Sequence, residues 1–471
     1  MTAPLSRSSI YIHGSIGLPI AMFGYPVAVW LPPFYAGELG VSLAAVGTMI
    51  MLARLTDVIT DPLIGYFSDH THTRIGRRKP FMLVGLPILV IGVLFLFMPH
   101  MFGFTSVGGI YLLAWLGIMF IGSTLVYIPY FAWGAELSTD YHERSRITAS
   151  REFYVLVGLM LSALIPALLP YFMGVPATPK PVLMAMGWTI IILTPLTVFL
   201  VCWRVAEPAH VKVSRQVPLI EGLRHVGKNG PMVRVLAIVL IVTGGEAFRN
   251  ALSLFFMRDY IGVTGVGMLY LYYFAAGLIA IPGWLWLGRQ MGKHKAFAIC
   301  MTAAAGLSTI AFFLVPGQTQ IFTIMFVAKG LCFGGLQFLP LAMLADVVDV
   351  DTARSKGKRA GTFFAISGMT TKLATAFGTG ISLNVVAFFG FNPAPGVVNG
   401  VDEMWWLAFA YAVIPSIFFL AALYLTWTYP LTAARQKRLQ GLIERRNAFE
   451  FLREAASDQF ETHFGKAWTP R

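Results

Sequence analysis

Asp57 and Asp61 stand four residues apart in Ser42 to Phe67, SLAAVGTMIMLARLTDVITDPLIGYF, a run that is otherwise mostly apolar. Arg54 precedes Asp57 by three positions, so a helix puts all three side chains on one face. An ionised group at the centre of a bilayer costs at least ~3 kcal/mol on insertion scales, so these charges demand partners. Two readings are open: an ion pair that ties two helices together, or a site that binds a cation. One arginine cannot neutralise two carboxylates, which favours the cation.

The surrounding chain has to hold that face away from lipid. Of its 471 residues 57% are hydrophobic and 12% charged, with a mean hydropathy of +0.70. Soluble domains carry about twice that charged fraction. Apolar runs long enough to cross a hydrocarbon layer recur from end to end, and in lipid only a helical bundle satisfies such a backbone. Spans are expected near 10–35, 42–67, 81–100, 107–135, 151–172, 182–203, 233–257, 266–287, 296–315, 321–345, 362–389 and 404–427. The segment 1–9 is short and polar and no small-residue cleavage site follows, so the first span is expected to be retained.

An even number of spans puts both termini on one side. That side then collects 29 of the 35 Lys and Arg residues, the other side only Lys180 and Arg258, and Arg54, Arg249, Lys329 and Lys372 lie within spans. The asymmetry predicts cytoplasmic termini. It also accounts for the net charge of +13 without nucleic acid. The organisation expected is a six-helix bundle over 1–204, a cytoplasmic loop over 205–232, a second bundle over 233–429 and a tail over 430–471. The stretch Ala433 to Ala456 in that tail is basic and amphipathic and fits an anionic lipid surface, or a regulatory partner.

The halves carry an internal repeat. Gly65, Asp69 and the basic run Arg74 to Lys79 follow the second span, while Gly288, Arg289, Gly292 and Lys293 to Lys295 follow the eighth. Ala135-Glu136-Leu137 closes the fourth span and Ala345-Asp346-Val347 the tenth, 210 residues later. Parallel repeats of this kind belong to carriers whose halves rock about a central site. Arg77, Arg78 and Lys79 are placed to bond Glu136 or Asp140, and Asp69 to find an arginine or a helix terminus. These residues are expected to latch one end of the bundle and release it on rocking.

The motif Asp57-x2-Thr60-Asp61-Pro62-x2-Gly65, followed by Thr71-x-Thr73-Arg74-x-Gly76-Arg77-Arg78-x-Pro80, resembles the glycoside–pentoside–hexuronide:cation symporter family of the major facilitator superfamily. The likeness extends over the span count, the central loop and the Ile128-Pro129 step of the fourth span. It implies an all-α membrane protein with the major facilitator fold, twelve transmembrane helices in two pseudo-symmetric halves. It further implies alternating access, a plasma (inner) membrane location, lipid contact, a monomer and no cofactor beyond a coupling cation. By position the cation site is Asp57, Thr60, Asp61 and Thr124, with Asp57 and Asp61 the metal ligands if the ion is Na+. Thr60 stands where the family often has asparagine, so H+ and Li+ remain acceptable ions.

The expected solute site departs further. Acidic residues that bond sugar hydroxyls in relatives are replaced by Pro19 and Tyr127, and a tryptophan by Gln337, whereas the basic Arg151 and Lys372 match. Glu246 and Arg249 add charges in the seventh span, as an intrahelical pair or as solute contacts, and Lys329 in the tenth is a partner for a carboxylate or a snorkelling side chain. Bases outnumber acids outside the cation site. The solute is therefore expected to be a sugar or glycoside bearing a negative group; the alternative is an anionic amphiphile such as a lysophospholipid. A receptor on the same scaffold is the non-transporting rival. An enzyme is not expected: the histidines lie mostly in loops or near span ends, and Cys202, Cys300 and Cys332 form no metal or nucleophile pattern.

Overall fold

The computed structural model describes residues 6–138, 140–207, 226–227, 229–355, 360–431, 438 and 441–442, and all but a little of the described chain is helical. Most of the expected amphipathic tail stretch at 433–456 and most of the central loop lie outside the described residues. Among the described residues twelve long helices follow one another: α1 Arg7–Glu38, α2 Leu43–His70, α3 Lys79–Phe97, α4 Gly109–Glu136, α5 Tyr141–Met173, α6 Pro179–Arg204, α7 Gly230–Ile261, α8 Val266–Met291, α9 Lys293–Phe312, α10 Thr319–Ser355, α11 Ala360–Phe388 and α12 Val401–Trp427. Eleven of them are long and apolar enough to cross a membrane by length and composition; α11 completes the set.

The helices outrun the apolar spans wherever a polar residue starts or extends them. Asp140 caps α5, its Oδ1 accepting from Glu143 N at 2.9 Å, so the helix begins ten residues before Arg151. Ser42 caps α2 through Ala45 N at 3.3 Å. In α1 the regular ladder widens into π-turns at Pro26–Trp30 and Phe34–Glu38, around Pro26, Pro32 and Pro33. A proline offers no N–H and crowds the preceding turn, which a wider turn accommodates.

Within the first half α3 packs on α4, α2 on α4 and α1 on α5; within the second α7 packs on α11 and α12, α8 on α10 and α9 on α12. The halves meet through α2 with α11, α5 with α8 and the Pro26–Trp30 turn with α7. Their tightest approaches sit at the end opposite the α2–α3 loop. A Cβ on Gly47 would lie 2.9 Å from the Gly380 carbonyl oxygen, and one on Gly267 2.4 Å from the Pro166 carbonyl carbon. Beside the first contact Asn384 Nδ2 donates to Thr48 Oγ1 at 3.3 Å. Glycine is required here because two helix backbones touch.

Adding volume at that seam should open it. Overpacking costs about 1–3 kcal/mol, a roughly 5- to 150-fold shift between two arrangements of the halves. Gly47→Val is therefore expected to speed labelling of a cysteine placed at Asn384 by a bulky thiol reagent at least about fivefold over the same cysteine alone. Equal labelling rates would show that this seam does not limit access.

Candidate ion and solute site

The α2 face that carries Arg54, Asp57 and Asp61 turns toward both halves. Its neighbours are α4 of the same half and α11 of the other. Lys372 of α11 places Nζ 2.5 Å from Asp61 Oδ2 and 3.5 Å from Asp57 Oδ2. Arg54 lies 3.6 Å from the same Asp57 oxygen, with its guanidinium 4.3 Å from the centre of the Phe120 ring. Thr124 donates to Asp61 Oδ1 at 3.1 Å. The site thus holds two carboxylates and two cations, formally neutral.

Neutrality does not use up the oxygens. Asp57 Oδ1 and Thr60 Oγ1 are buried and accept or donate no hydrogen bond among the described residues. Asp57 is 2% exposed, whereas the side chains of Asp61 and Lys372 are 16% and 29% exposed, so the site runs from a closed back to an open front. Carboxylate and hydroxyl oxygens of this kind suit a hard monovalent cation. Among the described residues no group of three or more His, Cys, Asp or Glu side chains could hold a metal ion, so any ion here leans on hydroxyls as well as the two carboxylates. All four residues expected to form the cation site are gathered at this point. Lys372, expected with the solute, is gathered there too.

The other expected solute residues are spread out. Tyr127 sits on α4 with its hydroxyl buried and without a hydrogen bond among the described residues, its ring edge-on to Phe23 at 6.3 Å. Arg151 on α5 pairs with the adjacent Glu152 at 2.7 Å and lies over the Phe131 ring. Gln337 is exposed on α10. Arg249 takes the first of its two expected forms, an intrahelical pair with Glu246: it is 1% exposed, enclosed by α7, α8, α10 and α12, and bonded also to Asn250 and Tyr273. That enclosure leaves it no face for a solute.

At the α2–α3 loop the basic residues meet their acids. Arg77 reaches Glu136 at 3.0 Å, and Arg78 reaches Glu136 at 2.5 Å, Asp69 and Ser68. Burial weakens the Arg78 charge, but Glu136 and Asp69 more than offset it and raise its pKa. Each of these contacts joins elements of the same half, so rocking of the halves leaves them intact; they brace α2, α3 and α4 where a releasing latch was expected. Asp140, the other acid considered, is occupied as the α5 cap.

Glu207 escaped the sequence reading. Its Oε1 accepts from the backbone N–H groups of both Arg77 and Arg78 at 2.8 Å, capping the start of α3. Gly76, at φ 123°, is what lets the carboxylate in, since a Cβ there would lie 1.9 Å from Glu207 Oε2. The signal was a glycine before two basic residues, but nothing in it names a partner 130 residues away. In the second half Lys293 at the start of α9 pairs with Asp346 of α10 at 2.7 Å, repeating the Arg78–Glu136 arrangement.

Comparisons with known proteins agree with this fold. A family model described as MFS/sugar transport protein matches residues 12–433. A glucuronide carrier protein homolog of Escherichia coli (strain K12) is 24% identical, over 89% of this chain and 91% of its own. Sodium-dependent lysophosphatidylcholine symporter 1 of Mus musculus is also 24% identical, over 94% of this chain and 88% of its own. The crystal structure of a D-xylose-proton symporter superposes with a TM-score of 0.61 at 14% identity, over 90% of this chain and 98% of that one, and shares the fold.

The brace makes a graded prediction. Arg78 is buried among two carboxylates, whereas Arg77 has one partner and more exposure. Removing one partner of a buried pair costs about 3–5 kcal/mol. Arg78→Ala should therefore lower the thermal midpoint of the purified protein well below that of Arg77→Ala; equal midpoints would show that the buried Arg78 contributes no more than Arg77.

Proposed function

The chain belongs to the MFS/sugar transport protein family, which makes it a membrane carrier and not an enzyme, and we propose that it couples one monovalent cation, held by Asp57, Thr60, Asp61 and Thr124, to a solute bearing a negative group. The observation that carries this reading is the Lys372 ammonium lying on both carboxylates from the opposite half. A tethered cation in that position competes with a free one. When Na+, Li+ or H+ enters, Lys372 is released toward the open front of the site, where it can meet an anion.

Charge then enforces coupling. The empty site holds two positive and two negative groups. The cation alone leaves one uncompensated positive charge, and the solute alone one negative charge; either is costly at bilayer depth. With both bound the site is neutral again. The empty and fully loaded carriers reorient, and the half-loaded ones do not. For a singly charged solute the cycle moves no net charge, so the concentration gradients drive it. A uronide or other acidic glycoside fits, with Tyr127, Arg151, Gln337 and Lys372 as its contacts. The carrier name of the bacterial glucuronide relative supports this class. We place both termini in the cytoplasm, with the protein a monomer in the plasma (inner) membrane and no nucleic-acid partner.

A second reading is favoured by one observation. An apolar crevice opens between the halves, lined by Leu156 and Met160 of α5, Phe274 and Ile281 of α8 and Phe333 of α10. It suits an acyl chain, and the relative named a lysophosphatidylcholine symporter is a match of nearly full length. An anionic headgroup on Lys372 with a tail in this crevice uses the same charge logic.

Counterflow of a labelled uronide into liposomes holding the full-length carrier tests the scheme, with a labelled lysolipid as the parallel arm. Asp61→Asn is expected to abolish stimulation by Na+ or H+. Lys372→Gln should do two opposite things: tighten cation binding by about tenfold or more, because a competitor worth at least ~1.4 kcal/mol is gone, and abolish uptake of the anion. Cation affinity that falls in Lys372→Gln would refute the tethered-cation scheme. Stimulated uptake of a neutral glycoside alone would refute the anionic solute.

A further inference from the structure

The second half holds a group of charges that the cation site does not use. Glu246 and Arg249 stand one turn apart on α7, and Lys329 reaches them from α10. Arg249 donates to Glu246 Oε2 at 2.9 Å, and Lys329 Nζ lies 3.5 Å from Glu246 Oε1. Two cations thus share one carboxylate at spanning depth. With all three ionised, one positive charge is uncompensated, which apolar surroundings disfavour strongly.

Among the described residues the neighbours do not supply the missing negative charge. Arg249 also donates to Asn250 Oδ1 at 2.9 Å and to the Tyr273 and Tyr411 hydroxyls at 3.3 and 3.5 Å. Lys329 meets Ser308 Oγ of α9 at 2.5 Å and lies 5.4 Å from the centre of the Phe419 ring of α12. The titratable groups around the lysine are Glu246 and Arg249 of α7, Tyr273 of α8 and Tyr411 of α12 behind Arg249, Cys300 of α9 and Cys332 on α10 itself. Every one except Glu246 and Arg249 is neutral in its ordinary form.

Access narrows what can restore balance. Arg249 and Lys329 are 1% and 3% exposed, and only Glu246 keeps a partly open side chain. A solute cannot reach the two cations; a proton can. Arginine does not release one under any condition proteins survive, and protonating Glu246 would worsen the imbalance. Lysine is the group left. Its bond to Ser308 serves either form: the ammonium donates to the hydroxyl oxygen, and the amine accepts from the hydroxyl proton.

We propose that Glu246, Arg249 and Lys329 form a proton-binding site inside the second half, in which Lys329 Nζ takes up and releases a proton while the Glu246–Arg249 pair stays closed. On release an N–H bond of the ammonium breaks, its electron pair remains on Nζ, and the proton leaves past Glu246. What remains is a neutral group of one carboxylate, one guanidinium and one amine. The use of this proton in turnover rests on the carrier reading above; its binding does not.

The test is nitrogen NMR of the full-length carrier in micelles with its lysines labelled with 15N at Nζ. Lys329→Arg, which keeps the charge, identifies the resonance by its loss, and Lys329→Gln gives the same assignment if the arginine fails to fold. The expected result is a reversible conversion of that resonance from ammonium to amine within the pH range where the carrier stays folded. Glu246→Gln should move the conversion to about tenfold or more higher proton concentration, because the carboxylate favours the charged lysine. A resonance that stays ammonium up to the pH of unfolding overturns the proposal. So does one that responds to chloride and not to pH, which would put a small anion on the excess charge. Asp61→Asn is expected to leave the conversion unchanged, so failure here and failure of cation-coupled counterflow are separate results.

Discussion

Lys372 belongs to one half of the molecule and the carboxylates it rests on belong to the other. This pairing is the constraint from which the remaining architecture follows. Charges at this depth are tolerable only when they cancel, and here they cancel only if α2 and α11 stay close. The glycines at the opposite end, where Gly47 meets Gly380, permit the close approach that brings the two helices into register. A carrier whose charge balance spans its moving interface ties the electrostatics of the site to the position of the halves.

The two buried charge groups differ in a way that suits different tasks. The group on α2, α4 and α11 has an open front, partnerless oxygens and exact balance between acids and bases. The group on α7 and α10 is enclosed, lies within a single half and carries more bases than acids. The first draws its partners from both halves. The second feels movement of the halves only through the helices around it.

Much of this was legible in the residues. The span count followed from hydropathy, and the cation face followed from two acids at helical spacing in an apolar run. The repeat of Glu136 and Asp346 pointed to the basic loops that pair with them. Three things were not legible. Lys372 was read as a solute contact because its distance to Asp61 is set by packing across 311 residues of chain. Glu207 lies just beyond a span and carries no local pattern. Arg249 lies in a run of α7, residues 241–257, where nothing is exposed, and only the arrangement of four helices shows what encloses it. The early start of α5 was missed for a simpler reason: hydropathy sees the apolar part of a helix and not its capped polar extension.

The braces at the loop end are unequal. In the first half Arg77 and Arg78 lock two helices, Asp69 joins them, and Glu207 seals the start of α3. In the second half the Lys293–Asp346 pair stands in the corresponding place among the described residues, with the lysine side chain 40% exposed. Surface pairs are screened by salt far more than buried ones. High ionic strength is therefore expected to weaken the exposed Lys293–Asp346 contact more than the buried Arg78 group.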